Sequence, residues 1–102
     1  MNSETTFPPD DPDGLLVRVG HGDCEAFETL YDTVAPLVYL VARRVVRNEQ
    51  MAQDVAQVAL VDVWRRAPRF DPAKLRATSW IVTIAHERAL ERVRSEQALV
   101  WL

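Results

Sequence analysis

One cysteine, three glycines and a single lysine occur in this sequence of 102 residues, and each scarcity closes off a class of protein. Cys24 alone cannot form an internal disulfide, and no grouping of cysteine and histidine has metal-ligand spacing. A reducing, cytoplasmic setting with no metal and no cofactor is the expectation. The few glycines build no phosphate-cradling loop. No stretch of about 18 apolar residues is present, so no membrane insertion is expected. The opening segment MNSETTFPPDDPDG lacks the basic and apolar regions of a signal or transit peptide. Strand alternation, Asn-Gly hairpins and internal repeats are also missing.

What is present is helical period and an uneven charge. Residues 1–32 carry eight acids against Arg18, a net −7, and residues 33–102 carry eleven cations against seven acids, a net +4. That polarity suits a C-terminal part that meets a polyanion. Residues 1–12, with Pro8, Pro9 and Pro12, read as a disordered acidic lead-in. Leu15, Leu16 and Val19 then mark a short amphipathic helix closed by Gly20-His21-Gly22. Asp23 is placed to cap a long helix whose apolar stripe runs from Ala26 to Val46, with Pro36 inside it as a source of a kink or a lost hydrogen bond. Asn48 is the next cap, and that helix runs to about Arg66, where Ala67-Pro68 ends it. After a loop to about Ala77, Thr78 or Ser79 is positioned to cap a last long helix. The expected fold is all-α, a compact three-to-four-helix bundle over 13–98, with 99–102 a tail or the start of a linker.

Enzyme chemistry finds no footing. His21 lies between glycines in a turn, and His86 beside Glu87 has neither a nucleophile nor a metal partner. Two other stretches carry more information. The joint WRRAPRFDPAKLRATSW, Trp64 to Trp80, gathers Arg65, Arg66, Arg69, Lys74 and Arg76 among two tryptophans and Phe70. Both indoles suit the packing of one helix on another. The cations cannot all be buried, and with Arg88, Arg92 and Arg94 beyond them they form either a salt-bridged surface or a surface for single-stranded nucleic acid. In DVAQVALVDVWR, Asp54, Gln57 and Asp62 punctuate an otherwise apolar helix, which points to a face covered by another protein.

The succession LYDTVAPLVYLVARRVVRN, DVAQVALVDVWRRAPRFDP, SWIVTIAHERALERVRSEQA resembles region 2 of extracytoplasmic-function sigma factors of bacterial RNA polymerase, of the sigma-K type, over about residues 11–98. The resemblance implies a transcription initiation domain that binds core RNA polymerase and recognises and melts the promoter minus-ten element through its non-template strand. Docking on the clamp helices of the largest polymerase subunit would fall to Asp54, Gln57, Val58, Asp62, Trp64 and Arg65. The DNA strand, with a flipped base, would be held by Lys74, Arg76, Ala77, Thr78, Trp80, Ile84, Glu87, Arg88 and Arg92, with Arg43, Arg44 and Arg47 near the fork phosphates. The alternative is a helical module sequestered by an anti-sigma factor without DNA binding of its own.

The sequence departs from the family pattern at Val58, where Glu is usual, at Leu75, where Gly is common, and at Glu87, where Asn or Arg is common. Leu75 predicts a stiffer loop. An acid at 87 favours a base that offers an amino donor, such as cytosine or adenine. A whole sigma factor of this group also carries a helix-turn-helix domain that reads the minus-thirty-five element. The chain stops at Leu102 before one, which reads as truncation.

Overall fold

A computed structural model describes the backbone of residues 11–101 and the side chains of 11–98. Four helices follow one another: α1 (Pro12–Gly20), α2 (Cys24–Val45), α3 (Glu49–Arg66) and α4 (Ala77–Trp101), with a 3-10 turn at Ala67–Arg69. No strand occurs among the described residues. The expectation of an all-α bundle holds.

Local chemistry sets most helix ends. Asp23 accepts the Ala26 N–H and Asn48 accepts the Met51 N–H at 2.9 Å, so each satisfies one of the orphan donors of a first turn. Gly22 takes φ +90, the left-handed backbone that lets α1 stop and α2 begin two residues later. α2 continues through Pro36, with the Pro ring on its exposed side. Two ends differ from expectation. α1 begins at Pro12 with Asp11 as its cap, inside the segment read as lead-in. α4 begins at Ala77, so Thr78 and Ser79 lie within its first turn rather than capping it. Residues 1–10 of the lead-in and the side chains of the tail at 99–102 lie outside the described residues.

Two apolar clusters hold the bundle. The larger unites Leu15, Leu16 and Val19 of α1 with Leu30, Val34 and Val38 of α2, Leu60 and Val63 of α3, Phe70, and Ile81 and Ile84 of α4. Each aliphatic side chain fully buried there contributes about 1.5–3 kcal/mol before entropy is counted. The smaller joins Ala42 and Val46 at the end of α2 to Ala52, Val55 and Ala89. On α2 the buried residues recur every fourth position, 26, 30, 34, 38 and 42, a narrow stripe that leaves Tyr31 of the predicted apolar face exposed. Trp64 packs edge-on against Phe27 at 5.2 Å and Trp80 against Phe70 at 5.6 Å. One indole therefore fastens α3 to α2 as expected, and the other fastens α4 to the connector rather than to a second helix.

Candidate polymerase- and DNA-binding surfaces

α3 presents its outer side as a mixed strip. Val58 is 47% exposed and Val61 is 53% exposed, far more than the core tolerates, and Gln57 and Arg65 flank them. Gln57, Val58, Val61, Asp62, Arg65 and Arg88 line an open hollow of about 410 Å³. A second hollow of about 200 Å³ between α3 and α4 is lined by Asp54, Val58, Arg88 and Arg92 among others. Four of the six residues expected on a docking face, Asp54, Gln57, Val58 and Arg65, thus lie on one continuous surface. Trp64 does not join them, because its ring is engaged with Phe27. Val61 belongs to the strip and went unrecognised, although its spacing of four from both Gln57 and Arg65 marks it.

Asp62 departs further from expectation. It is only 4% exposed, so at the floor of the larger hollow its carboxylate is engaged with α4 rather than offered to a partner. There it accepts a hydrogen bond from Arg88 Nε and lies 4.0 Å from Arg66. Arg66 also meets Glu87 at 3.4 Å, and Arg88 meets Glu91 at 3.0 Å. Five charges form a seam between α3 and α4. The bond to Asp62 is the main cause that raises the Arg88 pKa, opposed by partial burial, so this guanidinium stays charged at any relevant pH. An apolar helix can carry an acid inward when charged and hydrogen-bonding partners meet it there, here two guanidiniums.

The connector and the start of α4 form a second surface. Residues 71–76 are all exposed, and Phe70 is the buried anchor beneath them. The Asp71 carbonyl accepts the Lys74 and Leu75 N–H groups at 3.0 and 3.3 Å, and its side chain accepts the Ala73 N–H at 3.0 Å. Among the described residues no non-glycine residue has positive φ, so Leu75 needs none of the freedom of a glycine. Lys74, Arg76 and Thr78 face solvent, with the half-buried Trp80 one turn on. Ala77 and Ile84 are buried in the core, so their side chains cannot touch a strand, and both act by packing.

The remaining cations spread apart. Arg88 lies twelve residues along α4 from Arg76, about 18 Å at the helical rise, and Arg88 and Arg92 line the α3–α4 hollow with the docking residues. Arg43 and Arg44 end α2 near the small cluster that contains Ala89, well along α4 from its start beside Lys74. Arg43 donates to the Val46 carbonyl at 3.4 Å. Among the described residues there is no grouping of acids, cysteine and histidine able to hold a metal, and no helix long and apolar enough to cross a membrane.

Residues 30–99 match the sequence model of Sigma-70 region 2. The chain belongs to the Sigma-70 region 2 family. Its curated relatives include the ECF RNA polymerase sigma factor SigK of Mycolicibacterium vanbaalenii, 43% identical over 86 residues, which covers 84% of this chain and 44% of that protein. The SigK protein of Mycobacterium tuberculosis is 43% identical over 96 residues, 91% of this chain and 51% of its own length. That of Mycobacterium ulcerans is 38% identical over the same span. The chain spans about half the length of the curated relatives it matches. Within this region 2 chain the family match takes in both surfaces and omits α1.

Proposed function

We propose that this region 2 chain serves a sigma factor as the part that docks on core RNA polymerase and engages the non-template strand of the promoter minus-ten element. The observation that carries the reading is the separation of two unlike surfaces within a family that works in transcription initiation. The outer strip of α3, with Gln57, Val58, Val61 and Arg65, suits a protein partner, and the connector with Lys74, Arg76, Thr78 and Trp80 suits a single strand. Asp62, Ala77 and Ile84 support these surfaces from within. Glu87, half its side chain exposed, shares Arg66 and can still accept from a base amino group. A cytoplasmic setting goes with this role.

Strand binding governed by phosphate contacts weakens with salt, with a log–log slope of about −0.7 for each contact. Anisotropy titrations of a labelled single-stranded oligonucleotide across salt concentrations test this. Lys74→Ala and Arg76→Ala should each flatten the slope by about 0.7. Salt-independent affinity, or two silent substitutions, refutes the assignment. The exposed valines at 58 and 61 also favour a second reading, capture of this face by an anti-sigma factor. Competition between the clamp helices and such a partner for α3 distinguishes shared use from a module that never touches polymerase.

A further inference from the structure

We infer that Asp13, on the helix outside the family match, is a positioning residue for strand recognition: its one carboxylate fixes both the Arg76 guanidinium and the start of α4. The inference rests on the strand-binding role proposed above. Asp13 is 7% exposed. Its Oδ1 accepts the Ala77 N–H at 2.6 Å and its Oδ2 meets Arg76 Nε at 3.2 Å. The cap of α4 therefore comes from 64 residues earlier in the chain. The bonds within residues 71–75 converge on Asp71; beyond them the Arg76 carbonyl accepts the Trp80 N–H, and the hold on the Arg76 side chain and the Ala77 N–H comes from α1.

α1 is a firm base for this grip. Asp11 caps it and receives the Asp13 N–H at 3.1 Å, and Leu15, Leu16 and Val19 bury its inner side. At its other end Gly20 approaches the 3-10 turn so closely that an added Cβ would stand 2.9 Å from the Ala67 carbonyl oxygen. One nine-residue helix thus braces both ends of the connector, Ala67 at one and Arg76–Ala77 at the other. The Arg76 side chain remains 74% exposed. Its tie to Asp13 uses Nε and leaves the two terminal nitrogens for a phosphate or a base edge. An ordered fork discriminates among ligands better than a freely rotating one.

An acid beside a strand-binding surface repels phosphate, so electrostatics alone would favour its removal. Positioning predicts the opposite consequence for selectivity, and the two effects separate. Asp13→Asn keeps an oxygen to accept the Ala77 N–H and loses the charge that holds Arg76. The probes are the strand that the wild-type chain enriches from a random single-stranded pool and oligo-dT of equal length. Asp13→Asn should lower the preference for the enriched strand about fivefold, leave oligo-dT affinity equal or raised, and melt like the wild type. In an Arg76→Ala background it should change the preference no further. Arg76→Lys, which keeps the charge and loses the fork, should lose the preference without touching the cap of α4. The inference is overturned if a folded Asp13→Asn keeps its preference, if its effect adds to that of Arg76→Ala, or if Arg76→Lys discriminates like the wild type. Absence of any preference in the wild type itself overturns the strand-recognition reading, and this inference with it, before any variant is compared.

Discussion

At the scale of single residues, Asp62 and Asp23 show how much depends on what a carboxylate faces. Asp62 is buried against Arg88 and Arg66, so Asp62→Ala takes their shared partner from two guanidiniums at once and leaves each with one exposed acid, Glu91 and Glu87. A fully enclosed pair would cost about 3–5 kcal/mol to break, and because Arg88 keeps access to water the expected loss is nearer about 2 kcal/mol. Urea unfolding measures it, and Arg88→Met in the same chain should recover part of it. Asp23 is half-buried, and its carboxyl lies below the ordinary value of 3.8, first because the Ala26 N–H bonds it and then because Arg18 does. Its contribution is therefore complete at neutral pH and disappears as acid carries the pH down through the lowered value. Asp23→Asn, which still caps but carries no charge, should lower the melting temperature at neutral pH and converge on the wild type in acid, so that its acid-side decline in a thermal-melt series is flatter. The sequence reveals Asp23 because its partner is three residues away. It does not reveal the direction of Asp62, since one helical step separates an inward acid from the outward Val61, and the deciding Arg88 is 26 residues distant.

At the scale of elements, α2, α3 and their caps were legible because their signals are local: a capping side chain, a charged first turn, an apolar repeat and a proline beyond the end. The two ends that were misplaced, the start of α1 and the start of α4, meet each other across the fold through Asp13. No propensity at Thr78 or Ser79 could disclose that the N–H of Ala77 was already taken. α1 itself looked short and marginal, and it is held by burial on α2 and by the close approach of Gly20 to Ala67. Gly20→Ala should therefore push α1 off the 3-10 turn and cost about 1–3 kcal/mol, with Gly20→Ser no better. Gly22→Ala meets nothing within 4 Å and is penalised only by its φ of +90, about 1–2 kcal/mol. Asn at 22 should regain part of that loss, whereas Asn at 20 should regain nothing. Thermal unfolding of these variants tells steric from conformational cost.

At the scale of the whole molecule, the charge polarity read from the sequence overstated what a polyanion would meet. Arg66, Arg76, Arg88 and Arg92 all pair with acids of the same chain. Among the described residues Arg43, Arg44, Arg47, Arg65, Arg69, Lys74 and Arg94 make no ion pair, and of these Arg65, Arg69 and Lys74 lie at the end of α3 and along the connector. Unpaired cations thus stand both at the connector and around the end of α2, and the valine strip runs up α3 from the connector group. If the two surfaces serve two partners, each can be damaged alone. Val61→Asp puts a charge into the most exposed valine of the strip without disturbing the core. It should abolish capture by the polymerase clamp helices and leave oligonucleotide affinity within about twofold, because its charge is screened over a Debye length of about 8 Å. Lys74→Ala should do the reverse. Both proteins should melt with the wild type, which excludes unfolding as the common cause. Pull-down on immobilised clamp helices and anisotropy on the same preparations make the comparison, and parallel losses in both assays from either substitution would show that the two surfaces form a single site.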